Sequence, residues 1–173
     1  VAEYYGLTSA EFFNEEHKMY LRENLKEYAS MQAHDLVATV VEEAWNHQCY
    51  YSSPSMVKWI ENQDGTFSFD YTWYDAWVNF NIECGMLDPQ KEIGAIKCYS
   101  IVPWGNKIGY TNKNGQYIAT AYTPGSEAWT TMWTQFLEDF TKHSVEKGWF
   151  DITYISMDER AMSQIEASID LIH

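Results

Sequence analysis

Apolar residues recur along this chain in two rhythms, and the switches between them mark its elements. Asn14, a preferred N-cap, is followed by Glu15 and Glu16 in a first turn that favours negative charge. Leu21, Leu25 and Tyr28 then recur at helical spacing. The continuous run Leu36-Val37-Ala38-Thr39-Val40-Val41 reads as a strand buried on both faces. From Glu42 to Asp70 the pattern dissolves into a long irregular stretch containing Trp45, Asn46, His47, Tyr50, Tyr51 and an Asp64-Gly65 turn. Loops longer than about 15 residues inside a domain are usually functional. Asp70 or Thr72 then caps a helix carrying Tyr74, Trp77, Val78 and Ile82, which ends near Gly85.

A second strand over Ala95 to Ile101 leads to Pro103-Trp104-Gly105, and Asn114-Gly115 between Ile108–Thr111 and Tyr117–Thr120 is a strong hairpin signal. Ser126 caps a long helix with Trp129, Met132, Trp133, Phe136, Leu137 and Phe140 on one stripe, closing at Gly148. A third apolar run, Ile152 to Met157, precedes a last helix marked by Ile165, Ile169 and Ile172. Three strands separated by helical segments predict βαβ units and a parallel sheet. No repeat, low-complexity tract or interdomain linker interrupts the pattern, so residues 1–173 read as a single domain.

The third run ends in Asp158-Glu159-Arg160. Carboxylates at the end of a buried parallel strand are where α/β barrels keep their chemistry. Neighbouring side chains of a regular strand point to opposite faces, so the two acids share a site only where the pleat has relaxed. The competing reading is structural: Asp158 caps the next helix and Glu159 faces solvent.

Composition narrows the function classes. The chain is 46% hydrophobic and 21% charged, as globular domains are, and no apolar stretch approaches the roughly 20 residues of a membrane helix. A formal net charge of −14 argues against nucleic acid and anionic membranes as partners, since those need Lys and Arg against phosphate. Aromatic residues make up 17% of the chain, and flat rings with a polar edge suit sugars, although most of them are expected in the core. Cys49, Cys84 and Cys98 read as reduced, His47-Gln48-Cys49 is a poor zinc site, and no metal or cofactor is expected. The start, Val1-Ala2-Glu3, lacks the basic and apolar regions of a signal peptide, which leaves the compartment open.

The segment Lys147 to Arg160, together with Cys98-Tyr99-Ser100-Ile101-Val102-Pro103-Trp104, resembles the catalytic domain of glycoside hydrolase family 123. The likeness extends to Val1–Gly6, Ser55–Trp59, Phe69–Tyr71 and Pro124–Ala128, so it covers nearly the whole chain in order. It implies a (β/α)8 TIM-barrel fold and a β-N-acetylgalactosaminidase. A complete barrel takes about 250 residues, so the expectation is a partial one with strands two to four and their helices. Such a chain is expected to be inactive alone and able to self-associate through the strand edges at Leu36–Val41 and Ile152–Met157.

For 2-acetamido sugars the substrate's own acetamide oxygen can serve as nucleophile. The resemblance then implies that Asp158 orients the acetamide while Glu159 is general acid and later base, with retention at a β-linkage. Partial burial beside an anionic Asp158 is expected to help Glu159 hold its proton. Trp45, Tyr99 and Trp104, near strand ends, are candidate sugar contacts, and Arg160 has a positioning or ion-pairing role. Two alternatives stay open: a non-catalytic carbohydrate-binding domain, and a hydrolase of unmodified sugars using Glu42 or Glu43 as a second carboxylate.

Overall fold

A computed structural model describes residues 2–173; Val1, the first residue of the Val1–Gly6 stretch above, lies outside the described residues. Strands β1 (Asp35–Thr39), β4 (Ala95–Tyr99) and β7 (Thr153–Ser156) form a parallel sheet in the order β1-β4-β7. The register pairs Thr39 with Tyr99 and Tyr99 with Ser156, so the three strands end in one row. A second, mixed sheet runs β3-β2-β5-β6, from β2 (Lys58–Glu61), β3 (Phe67–Asp70), β5 (Lys107–Thr111) and β6 (Tyr117–Ala121). Helices α1 (Glu15–Ser30), α2 (Thr72–Glu83), α3 (Glu127–Lys147) and α4 (Met162–Ile172) complete the described elements with several short 3-10 turns.

This architecture overturns the expected (β/α)8 TIM barrel, whole or partial. A barrel closes by giving every strand a hydrogen-bonded neighbour on both sides. Here the parallel sheet stops at three strands, and the other four described strands belong to a separate sheet. The stretch read as irregular is the reason. Lys58-Trp59-Ile60-Glu61 and Phe67-Ser68-Phe69-Asp70 flank the Asp64-Gly65 turn as an antiparallel hairpin, and β2 joins β5 in parallel through Ile60 and Thr111. The chain between β1 and β4 therefore holds a hairpin as well as a helix.

The strands are also shorter and less enclosed than their composition suggested. In β1 Leu36 and Ala38 are buried but Val37 is 46% exposed, and in β7 Tyr154 is 54% exposed. A sheet covered on one face alternates in this way. Ile152 lies in a 3-10 turn rather than in the strand, and Ile169 and Ile172 of α4 are exposed.

Helix signals hold closely. The Asn14 side chain accepts from His17 N–H, the Ser126 side chain accepts from Trp129 N–H, and Gly148 ends α3 in the left-handed conformation that glycine adopts without strain. At α2 the side chain of Asp70 accepts from Thr72 N–H while Tyr71 occupies the cap position.

One core joins the two sheets. Trp59 of β2 is 1% exposed, stacks on Phe136 of α3 at 4.8 Å between ring centroids, and meets Trp133 edge-on at 5.3 Å. Its Nε1–H donates to the Val40 carbonyl just past β1, at 2.8 Å. Removing this side chain deletes apolar contact with both layers and leaves a buried carbonyl short of a donor. Trp59→Ala should therefore cost about 3–5 kcal/mol of stability, whereas Trp59→Phe, which keeps a ring but loses the hydrogen bond, should cost roughly 1–3 kcal/mol. Urea denaturation midpoints measure both; a Trp59→Phe variant as labile as Trp59→Ala would show that the indole N–H, not packing, dominates.

Candidate active site

The row formed by Thr39, Tyr99 and Ser156 delivers three loops to the same end of the parallel sheet. Asp158 follows β7 by two residues and is exposed, and the side chains around it come from the end of β4 and the loop beyond. The Tyr99 hydroxyl donates to Asp158 Oδ2 at 3.3 Å, and Trp104 Nε1–H donates to the same oxygen at 3.0 Å. Asp158 Oδ1 accepts from the backbone N–H of Glu159 at 2.9 Å. Three donors favour the charged carboxylate, and the Trp104 bond is foremost in holding Asp158 below the usual carboxylate range. Burial, followed by the nearby Asp158 charge, pushes the Tyr99 hydroxyl above its ordinary value, so it stays a donor.

Two further aromatic contacts hold these donors. Trp45 stacks on Tyr99 with centroids 4.6 Å apart and planes 16° from parallel. The Arg160 guanidinium lies over the Trp104 ring, its Cζ 3.8 Å from the centroid, while its Nε–H donates to the Val102 carbonyl at 2.9 Å. Trp45, Tyr99, Trp104, Asp158 and Arg160 thus form one connected patch, with Glu159 joined to it through its backbone N–H. Glu159 is exposed rather than half-buried, and among the described residues its carboxylate accepts no hydrogen bond and forms no ion pair.

The loop after β1 is shaped by a residue that the sequence reading weighed only as a catalytic acid. Glu43 Oε1 accepts from Ser53 N–H at 2.9 Å and Oε2 from His47 N–H at 3.0 Å, while its own N–H donates to the Ser53 carbonyl at 2.7 Å. Glu43, Asn46 and His47 all hold left-handed backbone angles, with φ of 50°, 49° and 64°, which L residues ordinarily avoid. The carboxylate's bonds offset that cost and present Trp45. Trp104 N–H donates to the Ala44 carbonyl at 2.9 Å, tying this loop to the one after β4. The adjacent Glu42 accepts from the Tyr117 hydroxyl of the β5–β6 hairpin, and a Cβ at Gly109 would collide with that hydroxyl. Burial first, and then Glu42, push the Tyr117 hydroxyl well above its ordinary value. The signal for both roles was the Glu42-Glu43 pair directly after an apolar strand, whose partners lie 10 and 75 residues away in sequence.

Comparison with known proteins places the chain. The sequence profile of the glycoside hydrolase 123 catalytic domain matches residues 1–173. The chain belongs to glycoside hydrolase family 123. Among solved structures it is similar to a family 123 glycoside hydrolase from Clostridium perfringens, the subject of a structural analysis of glycolipid glycan hydrolysis, with a TM-score of 0.91 and 54% sequence identity. That match covers 99% of this chain and 30% of the other, so the chain spans about a third of the length of that family 123 structure. No curated protein matches. Among the described residues, no group of three or more His, Cys, Asp or Glu side chains is arranged to hold a metal ion, and no helix is long and apolar enough to cross a membrane.

The role of Glu43 is open to a direct check. Glu43→Gln should speed amide exchange at His47 and Ser53 by roughly 10- to 150-fold, as for loss of charge-assisted bonds worth about 1.5–3 kcal/mol, with the strand amides of β4 unaffected. Hydrogen-exchange mass spectrometry reads both regions; unchanged protection of residues 47–53 would assign the loop's order to other contacts.

Proposed function

We propose that the natural polypeptide carrying these residues hydrolyses β-linked N-acetylgalactosaminides with retention, the substrate's acetamide oxygen acting as nucleophile. The observation that carries the reading is the contrast between two adjacent carboxylates: Asp158 accepts three hydrogen bonds and is favoured as the anion, while Glu159 is exposed and uncommitted. Carboxylates placed in different environments divide the acid and base work. Membership of family 123 supports the same division.

In the first step the acetamide carbonyl oxygen attacks the anomeric carbon. The bond to the leaving oxygen breaks, and Glu159 gives that oxygen its proton. The ring nitrogen of the resulting oxazolinium keeps its hydrogen, and the Asp158 carboxylate accepts a hydrogen bond from that N–H, stabilising the positive charge. Water then attacks the anomeric carbon, Glu159 takes its proton, and the acetamide oxygen departs, restoring the β-configuration. Glu42 and Glu43 are engaged by Tyr117 and by the His47 and Ser53 amides, which favours this reading over one that uses either as a nucleophile. The similar protein's link to glycolipid glycans supports a glycolipid-derived oligosaccharide as the physiological substrate class.

The roles separate by leaving group. Glu159→Gln should slow poor leaving groups far more than activated aryl ones, by roughly 10²–10⁴-fold for the former, because a general acid matters most when the departing oxygen is basic. A thiazoline analogue of the N-acetyl sugar should inhibit competitively, and Asp158→Asn should weaken it. Equal losses for both leaving groups, or a covalent glycosyl-enzyme on any carboxylate, would show the proposal to be wrong.

The same reading includes self-association of these 173 residues when they are purified alone. Strands β1 and β7 each have a single partner among the described residues, and Val37 and Tyr154 are exposed on them. Light scattering should show oligomers; a monodisperse monomer would remove this part of the proposal.

A further inference from the structure

We infer that Trp104 is a positioning residue, its indole clamped by Arg160 so that Nε1–H and the Tyr99 hydroxyl fix Asp158 Oδ2 and leave Oδ1 as the oxygen that meets a ligand's N–H. The inference rests on the proposed role of Asp158 and deepens it, by naming what aims that carboxylate and which of its oxygens recognises the substrate.

An exposed aspartate two residues past a strand end can turn about both side-chain torsions, and an acceptor that must meet one N–H of a sugar loses most of its value when it wanders. Two donors, at 3.0 and 3.3 Å, match the two lone pairs of Oδ2 in number. Among the described residues Oδ1 accepts only the Glu159 N–H, so one lone pair on that oxygen remains for a ligand. Three bonds from two chain segments then set the plane of the carboxylate.

An indole has one donor, and its direction follows the plane of the ring. Trp104 is held at its backbone by the Ala44 carbonyl and on one face by the Arg160 guanidinium. Arg160 is itself anchored through Nε–H to Val102, two residues before Trp104, which closes a short ring of contacts around the indole. A planar guanidinium stacks in this way, whereas a lysine ammonium cannot reproduce both the stack and the fork. The face of Trp104 under Arg160 and the face of Tyr99 under Trp45 are both taken, which argues for their polar edges as the working parts. The charged or titratable groups around Asp158 are Tyr99 from β4 and, from its own segment, Glu159 and Arg160.

The test uses the natural polypeptide, an aryl β-N-acetylgalactosaminide and its thiazoline analogue, with Trp104→Phe, which keeps a ring and deletes the donor, and Arg160→Met, which keeps a stem and deletes the stack. Trp104→Phe should lower kcat/KM and thiazoline affinity each by roughly tenfold or more, the scale of a hydrogen bond to a charged group. The acidic limb of the kcat/KM profile should move to higher pH, since Asp158 loses the donor that most favours its anion. Arg160→Met should shift the limb the same way by less, and Arg160→Lys should restore little of it. A Trp104→Phe enzyme with a wild-type acidic limb and wild-type thiazoline affinity overturns the inference, and does so without touching the proposed function if Asp158→Asn is inactive. A fully active Asp158→Asn overturns the proposed function itself. Should Trp104→Phe fail to fold, Tyr99→Phe removes the second donor to the same oxygen and must move the same limb upward, or the inference falls.

Discussion

The parallel register of β1, β4 and β7 is the constraint on which the candidate site depends. Because Tyr99 pairs with both Thr39 and Ser156, the chain leaves all three strands at the same height. The loops that follow therefore begin side by side, and short side chains can bridge them. A slip of one residue between β4 and β7 would turn Tyr99 to the other face and remove its hydroxyl from Asp158. The sheet's buried face, with Leu36, Ala38, Ile96 and Cys98 in the core, resists that slip because it would bring Lys97 and Tyr154 into the core. Packing on one side of the sheet thus sets hydrogen bonds on its end.

The second sheet contributes by bracing. Trp59 reaches from β2 to the Val40 carbonyl while its ring is held by Phe136 and Trp133 of α3, so the start of the β1 loop is pinned to a helix far along the chain. From there the loop is stiffened by Glu43, tied to the β4 loop through Ala44 and Trp104, and tied to the β5–β6 hairpin through Glu42 and Tyr117. The two acids beside the strand are thus structural instruments. Their carboxylates are used to hold backbone and a tyrosine in place, which leaves Asp158 and Glu159 as the acids with a different kind of surroundings.

How much of this was legible depends on the range of the interactions involved. Helices declare themselves locally: Asn14, Ser126 and Gly148 act on backbone within four residues, and each cap stands where its chemistry predicts. Five of the seven described strands, β1 and β4 to β7, stand within two residues of their apolar runs, and the resemblance carried by the Lys147–Arg160 segment led to the right family. What failed was the inference from strands to a barrel. Hydrophobic rhythm reports that a segment is extended and which face is covered, but not which strand lies beside it. The hairpin of Lys58–Glu61 and Phe67–Asp70 was missed although Asp64-Gly65 was noticed, because each flank offers only four residues of pattern. For Glu43 the sequence offers only the alternative of a second carboxylate, since its partner Ser53 is decided by how the loop folds.

The final step concerns why adjacent acids are useful at such a place. Two neighbouring carboxylates repel when both are charged, and on a regular strand they would face opposite ways. Past the end of β7 the pleat is gone, and the protein separates the pair by hydrogen bonding rather than by distance. Asp158 takes the Tyr99 hydroxyl, the Trp104 indole N–H and the amide of Glu159 itself, so the second acid's backbone helps to hold the first as an anion. The Glu159 side chain is left to solvent. One hydrogen-bonded carboxylate and one solvent-exposed carboxylate can therefore be built from consecutive residues, provided a neighbouring strand supplies the donors. That neighbour is β4, and its place beside β7 follows from the register with which the sheet is built.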